Sequence, residues 1–206
     1  MKLSTGGPLH PGILVAALGC ALSFSCGGGD NNTLTGLAAT FAPTSPTPAA
    51  KSVTLQPGTV SGDTFQVRVA VTDVHDFFGA AFSVTYKNTI PDPANSSLSV
   101  LMVTFTGMSS SGSFLRETGV ATDFRVDSTT TPWMLVIVAT RLQQDPPISG
   151  VNVLGTRDLL TLTFRVRRAT TGSPIDLVAP REVCDSGQPV CTPIGVTWSG
   201  GTVVAN

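Results

Sequence analysis

The side chains that could perform acid–base or metal chemistry are few and scattered. One of the two histidines, His75, lies in the segment TDVHDFFG between Asp73 and Asp76. A histidine flanked by carboxylates could act as a base or a metal ligand, but a single histidine in a turn is more typical of a surface loop. Asp73 and Asp76 lack the dense spacing of oxygen ligands that a calcium loop needs. The same is true of Asp123 and Asp127. We therefore predict no metal site and no cofactor.

Carboxylates could also form the pair that hydrolyses a glycosidic bond, because that reaction uses two acidic side chains on either side of the bond. The candidates are Glu117, Asp123, Asp127, Asp145, Asp158 and Glu182. They are scattered among expected turns, and nothing in their spacing marks a pair. The sequence also lacks the G-x-S-x-G, H-E-x-x-H and glycine-rich phosphate-loop motifs. We therefore predict that the protein is not an enzyme.

Two of the four cysteines, Cys20 and Cys26, lie near the amino terminus. The segment ILVAALGCALSF, residues 13–24, is uncharged. It is shorter than the roughly 20 residues of a membrane-spanning helix and has the length of a secretory signal core. Ser25 and Cys26 resemble the cleavage site of bacterial lipoproteins, in which the cysteine is acylated. We predict a lipoprotein signal peptide over residues 1–25 and lipidation of Cys26. Cys20 is a competing site, and an ordinary signal peptide is the alternative.

The predicted anchor implies three parts of the chain. Several acyl chains on one residue hold a protein stably at a membrane, so we expect an exported, lipid-anchored protein that faces either the periplasm or the cell surface. Residues 26–50 contain GGGDNN and TSPTP with a single charge, at Asp30, and predict a flexible linker. Residues 51–206 are long enough for one domain with a sizeable core.

The charge of the chain is balanced. Twelve Lys and Arg residues oppose thirteen Asp and Glu residues, which gives a formal net charge of −1. No basic stripe is present, so the sequence gives little support to nucleic-acid binding.

The remaining cysteines, Cys184 and Cys191, lie in VCDSGQPVC with six residues between them. In an exported chain a disulfide is the default interpretation of such a pair. The C-x6-C spacing does not match that of zinc ligands, and no nearby histidine completes a site. We predict a structural disulfide, with a metal site or a redox pair as the weaker alternatives.

Strand patterns dominate residues 51–206. Apolar and polar residues alternate with period two in DTFQVRVAVTDV, GAAFSVTYKN and LLTLTFRVRR, which predicts half-buried strands. WMLVIVAT, residues 133–140, is continuously apolar and predicts a strand covered on both faces. Further strands are expected at Ser52 to Leu55, Leu98 to Thr106, Thr122 to Asp127, Ile175 to Val178 and Gly201 to Ala205. About nine strands without a helical period predict an all-β fold, a β-sandwich of Greek-key or jelly-roll type.

Aromatic rings bear on a second possible function, because exposed rings stack on sugars. Tyr86 falls in the inward register of its strand, and Trp133 opens a strand that we expect to be buried. Trp198, in VTWSGGTV, could be exposed. A carbohydrate-binding module that uses Trp198 is therefore an alternative function.

The order of four motifs resembles that of the cohesin domain, which is found in bacterial cellulosome scaffoldins and their surface-anchoring proteins. These motifs are SGDTFQVRVAVTDV, DFFGAAFSVTYKNTI, LGTRDLLTLTFRVRR and WSGGTVVAN. The resemblance covers residues 52–206 and is vaguest over residues 88–130. It implies a nine-stranded jelly-roll sandwich related to carbohydrate-binding modules.

The resemblance also implies a function. Cohesins dock the calcium-bound helices of a dockerin on a sheet face built from their third, fifth, sixth and eighth strands. Carried onto this chain, that face comprises Ala81, Ser83 and Thr85 from the third strand, Asp123 and Arg125 from the sixth, and Thr161, Thr163 and Arg165 from the eighth. We therefore expect a docking module for a dockerin-bearing protein that is linked to polysaccharide degradation. Carbohydrate binding and a structural surface domain without a ligand are the alternatives, and the same residues could simply form a solvated sheet face.

Overall fold

The computed structural model describes residues 37–86, 89–92, 95–101, 103–129, 133–144, 146–187 and 191–206. The predicted signal peptide, Cys20 and Cys26 lie outside the described residues, as does the linker up to residue 36. None of the helices within the described part of the chain has the length and apolar character to span a bilayer.

The described residues form thirteen strands and one short 3₁₀ helix, Phe114–Gly119. The strands are β1 (Ala39–Pro43), β2 (Ser52–Ser61), β3 (Thr64–Thr72), β4 (Gly79–Thr85), β5 (Thr89–Asp92), β6 (Asn95–Leu101), β7 (Val103–Ser109), β8 (Thr122–Thr129), β9 (Met134–Arg141), β10 (Thr156–Val166), β11 (Thr170–Cys184), β12 (Thr197–Ser199) and β13 (Gly201–Ala205). The front sheet has the order β1-β13-β11-β4-β9-β8, and the back sheet the order β12-β2-β3-β10-β7. Strands β5 and β6 form a separate hairpin.

The predicted all-β sandwich is confirmed, because the inward side chains of the two sheets form one apolar core. Phe82 and Val84 of β4 are buried, as the period-two pattern predicted. Phe65 of β3 stacks on Phe164 of β10 with the ring centroids 5.6 Å apart. The Tyr86 ring meets Phe164 at 5.5 Å, so aromatic contacts connect the two layers of the core.

Strand β1 differs from the flexible linker predicted for residues 26–50. It pairs antiparallel with β13, with Ala39 opposite Ala205 and Phe41 opposite Val203. Ala39 and Phe41 are buried, and a Cβ on Gly201 would lie only 2.4 Å from the Phe41 ring. The Thr and Pro content suggested a linker, but the alternation of Ala39 and Phe41 supplies an inward face to the sheet.

The segment that follows β1 is also held against the domain. The backbone N–H of Thr44 donates to the carbonyl of Gly200 at 2.9 Å. The Gln56 amide donates to the Ser45 carbonyl at 2.9 Å, and the Ser52 hydroxyl donates to the Ala49 carbonyl at 2.6 Å. The domain therefore includes residues that the sequence analysis placed before its start at residue 51.

Strand β9 is not covered on both faces as predicted. Leu135, Ile137 and Ala139 point inward and are fully buried, whereas the alternate residues are only half-buried. The reason is that β9 lies in an outer layer of a two-layer sandwich, so one of its faces is directed toward solvent. Its outward side chains include Val136 and Val138, and the strand therefore presents apolar residues on an accessible surface.

Candidate docking face

The eight residues assigned to one docking face lie on two different sheets. Strand β10 pairs with β3 and β7 in the back sheet, so Thr161, Thr163 and Arg165 belong to the back sheet. Ala81, Ser83, Thr85, Asp123 and Arg125 lie on β4 and β8 of the front sheet. The prediction of a single face containing all eight residues is therefore wrong. Strand β11, which was predicted only over Ile175 to Val178, is the strand that pairs with β4 in the front sheet.

The strand registers define the outward face of the front sheet, which we call the front face. It consists of four adjacent strands in the order β8, β9, β4 and β11, whose residues line up in cross-strand rows. The first row holds Asp123, Thr140, Gly79 and Cys184; the second holds Arg125, Val138, Ala81 and Glu182; the third holds Asp127, Val136, Ser83 and Val178; the fourth includes Met134, Thr85 and Asp176. Strands about 4.8 Å apart and rows about 6.7 Å apart give a patch of roughly 15 by 20 Å.

The centre of the front face is apolar. Val136, Val138 and Val178 are half-buried, and Ala81 between them is exposed. The three valines were not predicted as surface residues. The available signal was the continuous apolar run in β9, because a strand apolar on both sides in a two-layer sandwich has one apolar face left for another contact.

Charged side chains surround this apolar centre. On β8, Arg125 forms an ion pair with Asp123 at 2.8 Å, and the Arg125 side chain is 74% exposed. Asp127 on the same strand and Glu182 on β11 are also exposed. An apolar centre with a charged, solvated rim is the usual anatomy of a protein interface.

A groove runs into the front face at the end of β4. It encloses about 280 Å³ and is lined by Gly79, Ala80, Ala81, Val138, Thr140, Glu182, Cys184 and Cys191. The groove exists because β4 carries small residues there while the flanking strands carry larger ones. The lining is mainly apolar, so the groove is suited to an apolar side chain of a partner.

Ser83, predicted to point outward, is fully buried. It lies between Val136 of β9 and Val178 of β11, which cover it from both sides. Its hydroxyl has no hydrogen-bond partner among the described residues. Of the three β4 residues predicted for the docking face, Ala81 is exposed, Thr85 is half-buried, and Ser83 is not accessible to a partner.

Cys184 is the last residue of β11, and Cys191 begins a segment that pairs back against the end of this strand as a hairpin. The N–H of Asp185 donates to the Thr192 carbonyl at 3.0 Å, and the N–H of Ile194 donates to the Val183 carbonyl at 2.7 Å. Cys184 and Cys191 are free thiols in the structure, so the predicted disulfide is not confirmed. Burial and a hydrogen bond with Cys191 raise the pKa of Cys184 to about 12.

Within that hairpin, the carboxylate of Asp185 accepts hydrogen bonds from both segments. Its carboxylate accepts from the N–H of Gly187 at 2.9 Å and from the N–H of Thr192 at 2.8 Å. The bonds from Thr192 and Gly187 hold the pKa of Asp185 below its ordinary value. The loop is therefore closed by hydrogen bonds while both thiols remain free.

The outward side of the back sheet, which we call the back face, is polar and internally paired. The Arg68 guanidinium contacts both oxygens of Asp158, at 2.9 and 3.1 Å. Arg165 donates to Asp63 at 2.6 Å. Because these charges already satisfy one another, the back face offers a partner fewer unmatched groups than the front face does.

Asp73 and Asp76 act as structural caps. Asp73 accepts from the N–H of Gly155 at 2.7 Å, and Asp76 accepts from the N–H of Gly150 at 2.7 Å. The hydroxyl of Ser186 also donates to Asp76, at 2.9 Å. These carboxylates therefore hold two connecting loops in place by hydrogen bonds. Within the described ranges, no group of three or more metal-ligating side chains occurs.

Trp198 is not the exposed ring that carbohydrate binding would need. It is half-buried on β12, packs against the core, and its ring lies 5.8 Å from that of Phe82. The large apolar side chains that are exposed in the described part of the chain are Val60, Leu142 and Leu154, none of which is aromatic. The described residues therefore include no exposed aromatic ring on which a sugar could stack.

Comparisons with known proteins concern the fold. No known protein family matches the chain, and no curated protein matches it. A non-cellulosomal cohesin from the archaeon Archaeoglobus fulgidus is 15% identical over 71% of this chain and 85% of that chain, with a TM-score of 0.44. A type II cohesin domain from the cellulosome of Acetivibrio cellulolyticus is 10% identical over 81% of this chain and 94% of that chain, with a TM-score of 0.45. Type II cohesin A11 from Bacteroides cellulosolvens is 11% identical over 77% and 96%, with a TM-score of 0.43. These three solved structures are cohesin domains.

Proposed function

We propose that this protein is a non-enzymatic docking module that binds a partner protein on the front face. The observation that carries this proposal is the apolar centre of the face, formed by Val136, Val138 and Ala81, with its groove and its charged rim. Covering such a patch removes apolar surface from water, which favours association. The rim charges of Arg125 and Glu182 would select among partners by complementarity.

The front face is favoured over the back face because a partner would have to remove water from fewer charged groups there. On the back face a partner would have to desolvate the pairs Arg68 with Asp158 and Arg165 with Asp63, which already bond to each other. Desolvating satisfied ion pairs is unfavourable unless new bonds replace the lost water. On the front face the centre carries no charge.

The partner that we propose is a dockerin-bearing protein, as the motif resemblance implies, and the setting is polysaccharide degradation. We also propose that the protein is exported and held at a membrane by a lipid on Cys26. Carbohydrate binding through Trp198 is not favoured, since that ring is half-buried.

The proposal is tested by immobilising the full chain and capturing proteins from an extract of the source organism, with calcium or with a chelator. The decisive comparison uses Ala81→Arg on the front face and Thr163→Arg on the back face as its matched control. Both residues lie on outward faces of central strands, so neither change alters the core.

We expect the unmodified chain and Thr163→Arg to capture a protein with calcium-loop repeats in calcium only, and Ala81→Arg to capture at least about tenfold less. If Thr163→Arg loses binding and Ala81→Arg retains it, the front-face assignment is wrong. If the chain enriches no such protein but sediments with insoluble polysaccharide, the docking function is wrong and carbohydrate binding takes its place.

A further inference from the structure

Cys184 and Cys191 occupy a position in the groove that a purely structural disulfide would not need. Cys184 lies directly opposite Gly79 in the first row of the front face. Both cysteines line the same groove as Ala81 and Val138. The pair therefore forms part of the wall against which a docked side chain would rest.

Cys184 and Cys191 lie on two segments that pair with each other through their backbones. Cys184 forms a β-bridge with Pro193, and Asp185 bonds to Thr192 through its backbone and its carboxylate. These contacts set the return segment beside the end of β11.

We propose that Cys184 and Cys191 form a reversible disulfide that fixes the wall of the groove and thereby strengthens docking on the front face. This inference rests on the proposed function. A wall held by a covalent bond loses less conformational freedom when a partner binds, and such pre-organisation raises affinity. The reduced hairpin keeps its fold but presents a less constrained wall.

The chemistry requires an oxidant, which we take to be a disulfide such as oxidised glutathione. The Cys191 thiolate attacks one sulfur of the oxidant and releases one thiolate, forming a mixed disulfide. The Cys184 sulfur then attacks the Cys191 sulfur, and the second thiolate leaves. Two cysteine thiols lose two electrons, the oxidant gains them, and the two cysteine protons pass to the released thiolates. We write the first attack from Cys191 because burial raises the pKa of the Cys184 thiol.

The test uses the full chain with Cys20→Ala and Cys26→Ala, so that Cys184 and Cys191 are the only thiols. Oxidised glutathione is added to one sample and dithiothreitol to another. Intact mass and maleimide labelling report bond formation. Backbone amide NMR signals of Gly79, Ala81 and Val138 report the groove. The matched control carries Cys184→Ser and Cys191→Ser in addition.

We expect oxidation to lower the mass by about 2 Da and to abolish labelling at both sites, as intramolecular disulfide formation requires. The groove amides should shift in this chain and not in the serine control. Affinity for the captured partner should rise about fivefold or more on oxidation. A chain that yields only glutathione adducts, or whose bond forms without any shift at Gly79, Ala81 or Val138, overturns the inference. If the bond forms and the groove amides shift but no partner binds in either state, the proposed function fails while the coupling between the thiols and the groove stands.

Discussion

Gly79 and Thr140 are cross-strand partners at the end of the groove in the front face, and the Thr140 side chain occupies the space that a side chain at position 79 would need. A Cβ built on Gly79 would lie 2.7 Å from Thr140 Oγ1 and 2.9 Å from Thr140 Cβ. The close packing of these two residues sets the depth of the groove, because no side chain rises from the floor at this point.

The first prediction follows from that packing. Gly79→Ala should lower the free energy of unfolding by roughly 1 to 3 kcal/mol, because the added methyl overpacks against Thr140. Urea denaturation would measure the change. Gly107→Ala on β7 is the matched control, since a Cβ there meets nothing within 4 Å, and it should change stability by no more than about 1 kcal/mol. Equal effects of the two substitutions would contradict the packing argument.

The second prediction concerns β1, which the sequence suggested to be linker. Phe41→Ala should cost roughly 2 to 4 kcal/mol of unfolding free energy, because it removes a buried ring that packs on Gly201. Thr40→Ala, at the neighbouring exposed position, should stay within about 0.5 kcal/mol. Thermal and urea unfolding of the full chain would measure both. If the Phe41→Ala chain is as stable as the unmodified one, β1 adds nothing to the stability of the domain and the segment behaves as a linker.

The third prediction concerns the hydroxyl of Ser83. A buried hydroxyl without a partner loses its hydrogen bonds to water and gains none in return. Ser83→Ala should therefore raise the free energy of unfolding by roughly 0.5 to 1.5 kcal/mol. Capture of the docking partner should be unchanged, because Ser83 is fully buried beneath the front face. A loss of stability would show that the hydroxyl has a bonding role.

The fourth prediction is a pH dependence of stability. The hydrogen bond from Arg165 holds the pKa of Asp63 below its ordinary value of 3.8. Because the folded pKa is the lower one, this carboxylate stabilises the fold above its unfolded pKa and loses that contribution as the pH falls through the folded value. We expect the melting temperature to fall as the pH drops below 3.8.

The matched variant for this prediction is Asp63→Asn, which keeps the shape of the side chain but does not titrate. The melting temperature of Asp63→Asn should change less steeply over the same pH range. Glu117 and Asp185 also have lowered pKa values, through Arg157 and through the backbone N–H groups of Thr192 and Gly187 respectively. Part of the acid sensitivity should therefore remain in the variant. If the melting temperature falls with pH equally steeply in both chains, the bond between Asp63 and Arg165 adds nothing to the pH dependence of stability.

Local alternation predicted which side of each strand faces the core. Phe65, Val67 and Val69 of β3 are buried as the period-two pattern required, and the same holds for Leu160 and Leu162 of β10. This succeeded because alternate side chains of a strand leave opposite faces, so burying one face fixes all of its residues together. The pattern also predicted two sheets, since the apolar face of one sheet must be covered by the apolar face of another.

Local alternation could not predict the sheet to which each strand belongs. Strands β10 and β11 both carry alternating patterns, yet β10 pairs with β3 and β11 pairs with β4. Pairing joins residues far apart in the chain, as Ala39 with Ala205 shows, and a local pattern carries no information about such a partner. The motif resemblance, not the local pattern, assigned Thr161, Thr163 and Arg165 to the same face as Ala81, and the pairing of β10 with β3 shows that this assignment is wrong.

The sequence by itself determined an all-β sandwich and the core side of its main strands. Only the tertiary structure decided that β9 directs Val136 and Val138 to an accessible face and that Ser83 is covered by its neighbours. It also decided that Gly79, Cys184 and Cys191 meet in one groove. The physical reason is that burial of an outward side chain depends on the size of its neighbours on adjacent strands, and those neighbours are chosen by long-range packing rather than by local sequence.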